Sequence, residues 1–385
     1  MRRDDPMPAL NANIMYLFFE SANMHRWNDH IRPLDLTELD KQAHKAAIAW
    51  VLGKTEESAG NPVSWRKIIE NTMFSFIQRS VLTDLKPQVF YKITQEKSAE
   101  VNAFIISEVR RSVPDFDSDL LSRFEEFLGS DQKSLEDDII RAAHYLATRW
   151  EFELIYESNR SLYGIDQTRK EISQQIGQFI HLKGVSEILA EGHPYDFIDL
   201  VGQLRFQQRW ARTPRIPRTS VLGHSLMVAD AMYLADVDAK EDERTVYNDF
   251  YTALFHDLPE VLTKDVISPI KASIGGLESI LQEYEHEQID NVIMPLLNPD
   301  WRDEFRFMVY DPFHDEEGGR FGRRKGYDIK TCDLYAAYME AMISRSYGVT
   351  SNSLAQGETQ LREKLMSRKG LDAKALVEGL GKMQI

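Results

Sequence analysis

Apolar residues recur along this chain at spacings of three and four, and runs that alternate apolar with polar are few. That period gathers apolar side chains on one face of an α-helix, so the pattern predicts helix after helix rather than a sheet. Val101, Phe104, Ile105 and Val109 make one such stripe, and Ile139, Ile140, Ala143, Leu146 and Ala147 a second. Leu334, Ala337, Tyr338, Ala341 and Met342 make a third. Proline and glycine gather between the periodic stretches, at Gly60-Asn61-Pro62, residues 213–217, Asn298-Pro299-Asp300 and residues 318–326, where turns are expected. The expected fold class is all-α.

Comparing the chain with itself adds an expectation about its organisation. Val81-Leu82-Thr83 recurs as Val261-Leu262-Thr263, and residues 43–49 line up with residues 223–229, both 180 positions on. Arg26-Trp27 and Arg209-Trp210 pair at 183, and residues 162–164 with 346–348 at 184. The common order and near-common offset imply two related halves, residues 1–185 and 186–385. At the 180 offset Phe76-Ile77 stands where the second half has His256-Asp257, so the first copy is expected to be degenerate and without metal ligands. It would then act as a scaffold, a dimerisation surface or a regulatory half, and a homodimer is among the expected partners.

Composition narrows the setting. A net charge of −15 argues against broad attraction to duplex nucleic acid or to an anionic membrane. Cys332 is the single cysteine, which excludes an intramolecular disulfide and a zinc ribbon. The apolar runs, such as residues 46–52, are too short to span a bilayer, and no signal-peptide pattern follows Met1. A cytoplasmic location is expected.

The chemistry gathers around Phe255-His256-Asp257-Leu258-Pro259-Glu260. Upstream, Thr219-Ser220 can cap a helix on which His224, Val228, Ala231 and Ala235 share one stripe. Val246, Phe250, Ala253 and Asp257 follow at helical spacing, with Pro259 interrupting the pattern, and Asp333, Ala336, Ala337 and Glu340 share a third stripe. Three helices therefore each aim an ionisable group along a buried face. Buried charges must neutralise, pair or bind a cation. Two imidazoles and two carboxylates suit one divalent transition metal (Mn, Co, Ni, Fe or Zn), and all-oxygen Mg or Ca cages less well. Glu260 could orient water or pass a proton to a leaving group. Taken singly, His224 reads as a packed core histidine, His256-Asp257 as a helix-end pair and Asp333 as an exposed charge; the arrangement of all four favours the metal.

These motifs resemble HD-domain phosphohydrolases of the bacterial 5′-deoxynucleotidase type. The resemblance rests on Arg209-Trp210, on Gly223-His224-Ser225, on the long run from His256-Asp257 through Val261-Leu262-Thr263, Asp265 and Pro269 to Lys271, and on Cys332-Asp333 through Glu340. It covers roughly residues 200–350. What it implies is an all-α HD bundle with one divalent metal on His224, His256, Asp257 and Asp333, and Glu260 as the catalytic carboxylate. Arg209, Trp210, Asp265 and Lys271 would bind the substrate. The implied substrate is a (deoxy)nucleoside 5′-monophosphate, a small-molecule partner. A dNTP triphosphohydrolase, a cyclic or oligonucleotide phosphodiesterase and a non-catalytic nucleotide-binding scaffold are the alternatives. The run Glu316 to Gly326, basic in an acidic chain, could serve a polyanionic substrate or form a solvated loop.

Overall fold

Residues 7–82, 92–93, 96–131, 133–263 and 277–383 are described in a computed structural model of the chain. Helices dominate, as the periodicity predicts. In the first half they are α1 (Ala12–Glu20), α2 (Glu38–Ser58), α3 (Trp65–Val81), α4 (Ser98–Ser112), α5 (Ser118–Gly129), α6 (Leu135–Asn159), α7 (Ile165–Gly177) and α8 (Lys183–Leu189). Then follow α9 (His193–Gln203), α10 (Val221–Ala239), α11 (Glu243–Phe255), α12 (Leu277–Gln288), α13 (Arg302–Val309), α14 (Gly326–Ser346), α15 (Asn352–Met366) and α16 (Ala373–Lys382). Residue 185, where the halves were expected to divide, lies inside α8.

The centre of the molecule is α2 packed against α10, with α6 on the far side of α2 and α11 and α14 against α10. Both central helices are enclosed by protein, so both are buried nearly all round rather than on one stripe. Each begins on a hydroxyl cap: Thr37 accepts from the Asp40 amide, and Ser220 from the Gly223 amide at 2.9 Å. The helices approach closely because residue 223 has no side chain. A Cβ there would stand 2.8 Å from Asp40 Oδ1 and 3.1 Å from Leu39. The Ser220 hydroxyl donates to that same Asp40 carboxylate. One apolar cluster runs through both halves. Trp50 of α2 lies 5.4 Å, ring to ring, from Phe255 of α11 and from Phe305 of α13.

The segments that lead into the two central helices are built alike. A 3-10 turn (Ser21–Asn23, Leu204–Phe206) precedes an isolated antiparallel bridge, His25 with Thr37 and Gln208 with Ser220. The amide of Arg26 donates to Leu36 O at 2.7 Å, and that of Arg209 to Thr219 O at 2.9 Å. Trp27 and Trp210 both adopt the left-handed region, at φ 54° and 56°. These pairs are 183 residues apart, three more than the spacing of the clearest sequence matches.

The basic run forms the small antiparallel sheet, Glu316–Glu317 with Arg323–Arg324. Its cations face the protein's own acceptors. Arg320 meets Asp303 at 2.8 Å, Arg323 meets Glu241 at 3.2 Å and Lys325 meets Asp236 at 2.5 Å. Arg324 is buried and donates to the carbonyls of Phe307, Asp311 and His314. The loop is thus a folded strut more than a solvated tether.

Candidate metal centre and active site

Three elements converge beside the start of α10. His224 lies one turn into that helix and is buried. His256 is the cap that ends α11, and its Nδ1–H donates to the Ala253 carbonyl at 2.7 Å. That bond selects the tautomer in which Nε2 keeps its lone pair and points away from the helix. Asp257 follows in the turn that Pro259 closes, and Asp333 comes from the first half of α14.

Donor atoms of His224, His256 and Asp257 all lie within 4.8 Å of one another. Asp333 joins them through His224, with its Oδ1 2.9 Å from the imidazole Nε2. Three of the four residues expected to share a cation therefore meet at one place, and Asp333 adjoins them at His224. His256 Nε2 and Asp257 Oδ2 are buried and have no hydrogen-bond partner among the described residues. They are 3.2 Å apart but not aligned as donor and acceptor, so the contact is electrostatic. Two orphaned buried lone-pair atoms cost free energy unless something positive sits between them. The donor set fits a divalent cation on that ground.

The field around the centre keeps its carboxylates ionised. Burial pushes Asp257 up, but His256 and Arg209 outweigh it and hold the carboxyl well below the ordinary range. Burial likewise opposes ionisation of Asp333, and Lys330 and His224 overcome it. The Lys330 ammonium reaches Asp333 Oδ2 at 2.7 Å and rests over the Phe313 ring. For His224, burial and Arg209 disfavour the cation, while contacts to Asp333 and Glu340 prevail and raise its pKa.

Arg209 is brought to the same centre, with Nη1 3.6 Å from Asp257 Oδ2 and Nε 3.9 Å from Glu340. The neighbouring Trp210 donates its indole N–H to Glu340 at 2.9 Å. The six-membered end of its ring rests where a side chain at Gly357 would be, which ties the Arg209 loop to α15. Glu260 opens the single turn Glu260–Thr263, and its carbonyl accepts from the Gln207 side chain at 2.7 Å. One loop thus anchors both Arg209 and Glu260. Asp265 and Lys271 lie outside the described residues.

Glu340 is the residue whose importance the sequence did not announce. Besides Trp210 and Arg209 it accepts from Thr219 Oγ1 at 2.5 Å and lies 3.6 Å from His224 Nδ1. The buried Arg215 guanidinium stands 3.9 Å away. Despite burial, Arg215 and His224 hold its carboxyl well below the ordinary range. The available signal was its spacing of seven from Asp333, two turns along the same face.

Residues 201–361 match the family model of the HD domain. This stretch is an HD domain. It contains the three converging donors His224, His256 and Asp257, and Asp333 beside them, so the family match and the cluster fall in the same stretch. The chain is similar to a Klebsiella pneumoniae protein named 5′-deoxynucleotidase, 27% identical over 179 residues, which takes in 46% of this chain and 85% of that one. A Vibrio atlanticus protein of the same name is 25% identical over 45% of this chain and 86% of its own length. One from Pectobacterium atrosepticum is 23% identical over 43% and 80%. Together these findings support an HD phosphohydrolase. No helix among the described residues is long and apolar enough to cross a membrane.

Proposed function

We propose that the HD domain is a divalent-metal-dependent phosphomonoesterase that converts (deoxy)nucleoside 5′-monophosphates to nucleoside and phosphate. The observation that carries this reading is the meeting of His224, His256 and Asp257 at one buried point, where two donor atoms lack partners. Those three and Asp333 would hold the cation, and their mixed nitrogen and oxygen donors suit Mn, Fe, Co, Ni or Zn. When bound, such a cation polarises the phosphate and eases ionisation of the attacking water.

The chain's own residues do the rest. The guanidinium of Arg209, held by Glu340, offers paired N–H donors to the phosphate oxygens and offsets their charge. Trp210 keeps Glu340 in place, and so acts on the substrate through Arg209. Glu260 takes the proton that the attacking water loses and passes it to the ester oxygen as the P–O bond breaks, so the nucleoside leaves as the neutral alcohol. Asp265 and Lys271 shape the sugar and phosphate ends of the pocket in this reading. The substrate class is supported by the names of the relatives.

Purified full-length chain, stripped of metal and reloaded in turn with Mn, Co, Ni, Zn or Mg, tests the reading against a panel of nucleotides. The expected products are nucleoside and inorganic phosphate from 5′-monophosphates. Release of triphosphate or pyrophosphate, or of a monophosphate from a diester, would replace this substrate class. Nucleotide binding without turnover under any metal would make the domain a scaffold.

A further inference from the structure

The first half contains a second buried centre with a different occupant. At the spacing of 183 that relates the Arg-Trp loops and helix caps, Lys41 of α2 stands where α10 has His224. Its Nζ donates to His144 Nδ1 of α6 at 2.6 Å, as His224 meets Asp333 of α14 at 2.9 Å. Trp27 donates its indole N–H to Glu151 at 3.0 Å, as Trp210 does to Glu340 at 2.9 Å. His144 precedes Glu151 by seven residues, the interval between Asp333 and Glu340. The helices that follow also correspond: α7 and α8 after α6, α15 and α16 after α14. Even the packing is reciprocal, since α8 lies against α9 and α16 against α1.

The exchange of residues alters the charge of the centre. Glu38 and Glu151 are its two ionised carboxylates, and each oxygen already has a partner. Glu38 accepts from Arg26 at 2.7 Å and from Gln42 at 2.6 Å. Glu151 accepts from Arg26 at 2.8 Å and, through its other oxygen, from Arg205 at 3.1 Å. Against them stand Arg26, Arg205, Lys41, Lys45 and Arg79. Lys41 is wholly buried, and its one hydrogen-bonded partner among the described residues is the His144 imidazole. Lys45 is also buried, held by Ser75 and Gln42 rather than by a carboxylate. Burial favours the neutral forms on both sides: it raises the pKa of the nearby acids Asp40 and Asp230, and it lowers that of Lys45 to about 8 and, with Arg26, that of Lys41 well below the ordinary lysine range, so the lasting excess is carried by the arginines. Burial and the surrounding Lys41, Lys45, Arg26 and Arg79 push His144 down, so the imidazole is neutral. Arg79, 3.8 Å from Glu38, and His144 lie at the rim and are partly exposed.

Buried cations in excess of their carboxylates are unfavourable unless an anion completes the set. We propose that the first half is a second copy of the HD scaffold whose metal position is taken by Lys41, and that its centre binds a phosphate-class anion without metal. The amine of Lys41 fills the place of a cation that the His144 position could no longer hold with a carboxylate, and an anion bound among the arginines would draw it to its ammonium form. Arg79 and Arg26 at the mouth supply the planar donors that phosphate oxygens match. The proposal is independent of whether the HD domain turns over nucleotides.

The test uses the full-length chain carrying H256A and D257A, in EDTA, so that phosphate at the metal centre cannot contribute. Inorganic phosphate, and in a separate arm deoxyadenosine monophosphate, is titrated calorimetrically, with the thermal midpoint as a second readout. The expected result is one site per chain that also raises the thermal midpoint. K41M and R79Q should each weaken it at least tenfold. K41M removes a buried amine for a side chain of similar length, so the fold should persist; should it not, R79Q at the partly exposed rim carries the test. Binding of the nucleotide but not of phosphate would assign the site to the whole ligand. Absence of binding in both arms, or binding that both substitutions leave unchanged, would overturn the proposal.

Discussion

Two buried centres, one on each side of the α2–α10 pair, tie a long helix to another through a single side-chain contact: Lys41 to His144, and His224 to Asp333. Around each, an arginine and a tryptophan from a left-handed loop meet a buried glutamate. What differs is the set of side chains at the centre: an amine and an imidazole in the first half, imidazoles and carboxylates in the second. The HD centre gathers imidazole lone pairs and carboxylates, which suit a cation, whereas the other centre has the Lys41 amine in that place, ringed by arginines. On the proposals above, similar surroundings do not make similar sites: the identity of two or three side chains would decide whether a centre takes a metal or an anion.

The comparison can be broken most severely at Glu260. Changing it to Gln keeps its shape and removes its proton, so kcat for phosphate release should fall about a hundred- to ten-thousandfold with metal content unchanged. Metal loss, or full activity, would contradict the assigned role. Next come the paired glutamates. Glu340→Gln and Glu151→Gln each strip a buried partner from an arginine, and each should cost on the order of 3–5 kcal/mol in denaturant unfolding. The two should part in activity assays. The change at Glu340 loosens Arg209 and raises KM, and the change at Glu151 leaves phosphate release by the surviving folded protein intact.

A smaller effect concerns pH. His44 is buried, donates to the Ile198 carbonyl at 2.7 Å, and is pushed down by burial and Arg205 to about 3. Between that value and the ordinary histidine range the unfolded chain binds the extra proton and the folded one does not. Stability is therefore whole above the unfolded pKa and declines as pH falls through this window. His44→Gln keeps a donor for Ile198 and should flatten that part of the pH–stability curve by a few kcal/mol. An unchanged slope would place the acid sensitivity elsewhere.

Much of this was legible beforehand, for reasons that show where reading stops. The stripes at Ile139–Ala147 and Leu334–Met342 located α6 and α14, because burial against α2 and α10 enforces helical spacing. His256-Asp257 stood out because an imidazole and a carboxylate beside a helix-ending proline are uncommon in a buried run. Glu340 could be placed on the Asp333 stripe but given no role, since nothing local shows that Arg215 and Thr219 will surround it. Lys41 was hidden for the same reason. The sequence matches at 180 paired His44 with His224, but the fold places His44 against Ile198 and Trp150, one turn beyond Lys41. Likeness among helical segments survives shifts of three or four residues, so caps and bridges fix a register that side-chain similarity cannot.

The most direct measurement is metal content per chain of the full-length protein by elemental analysis, for the wild type, H224A, D333N and K41M. The account predicts one bound divalent cation in the wild type and in K41M, and loss of it in both H224A and D333N. A cation retained in H224A and D333N, or lost in K41M alone, would show that the metal lies outside the α10–α14 centre and would contradict the account.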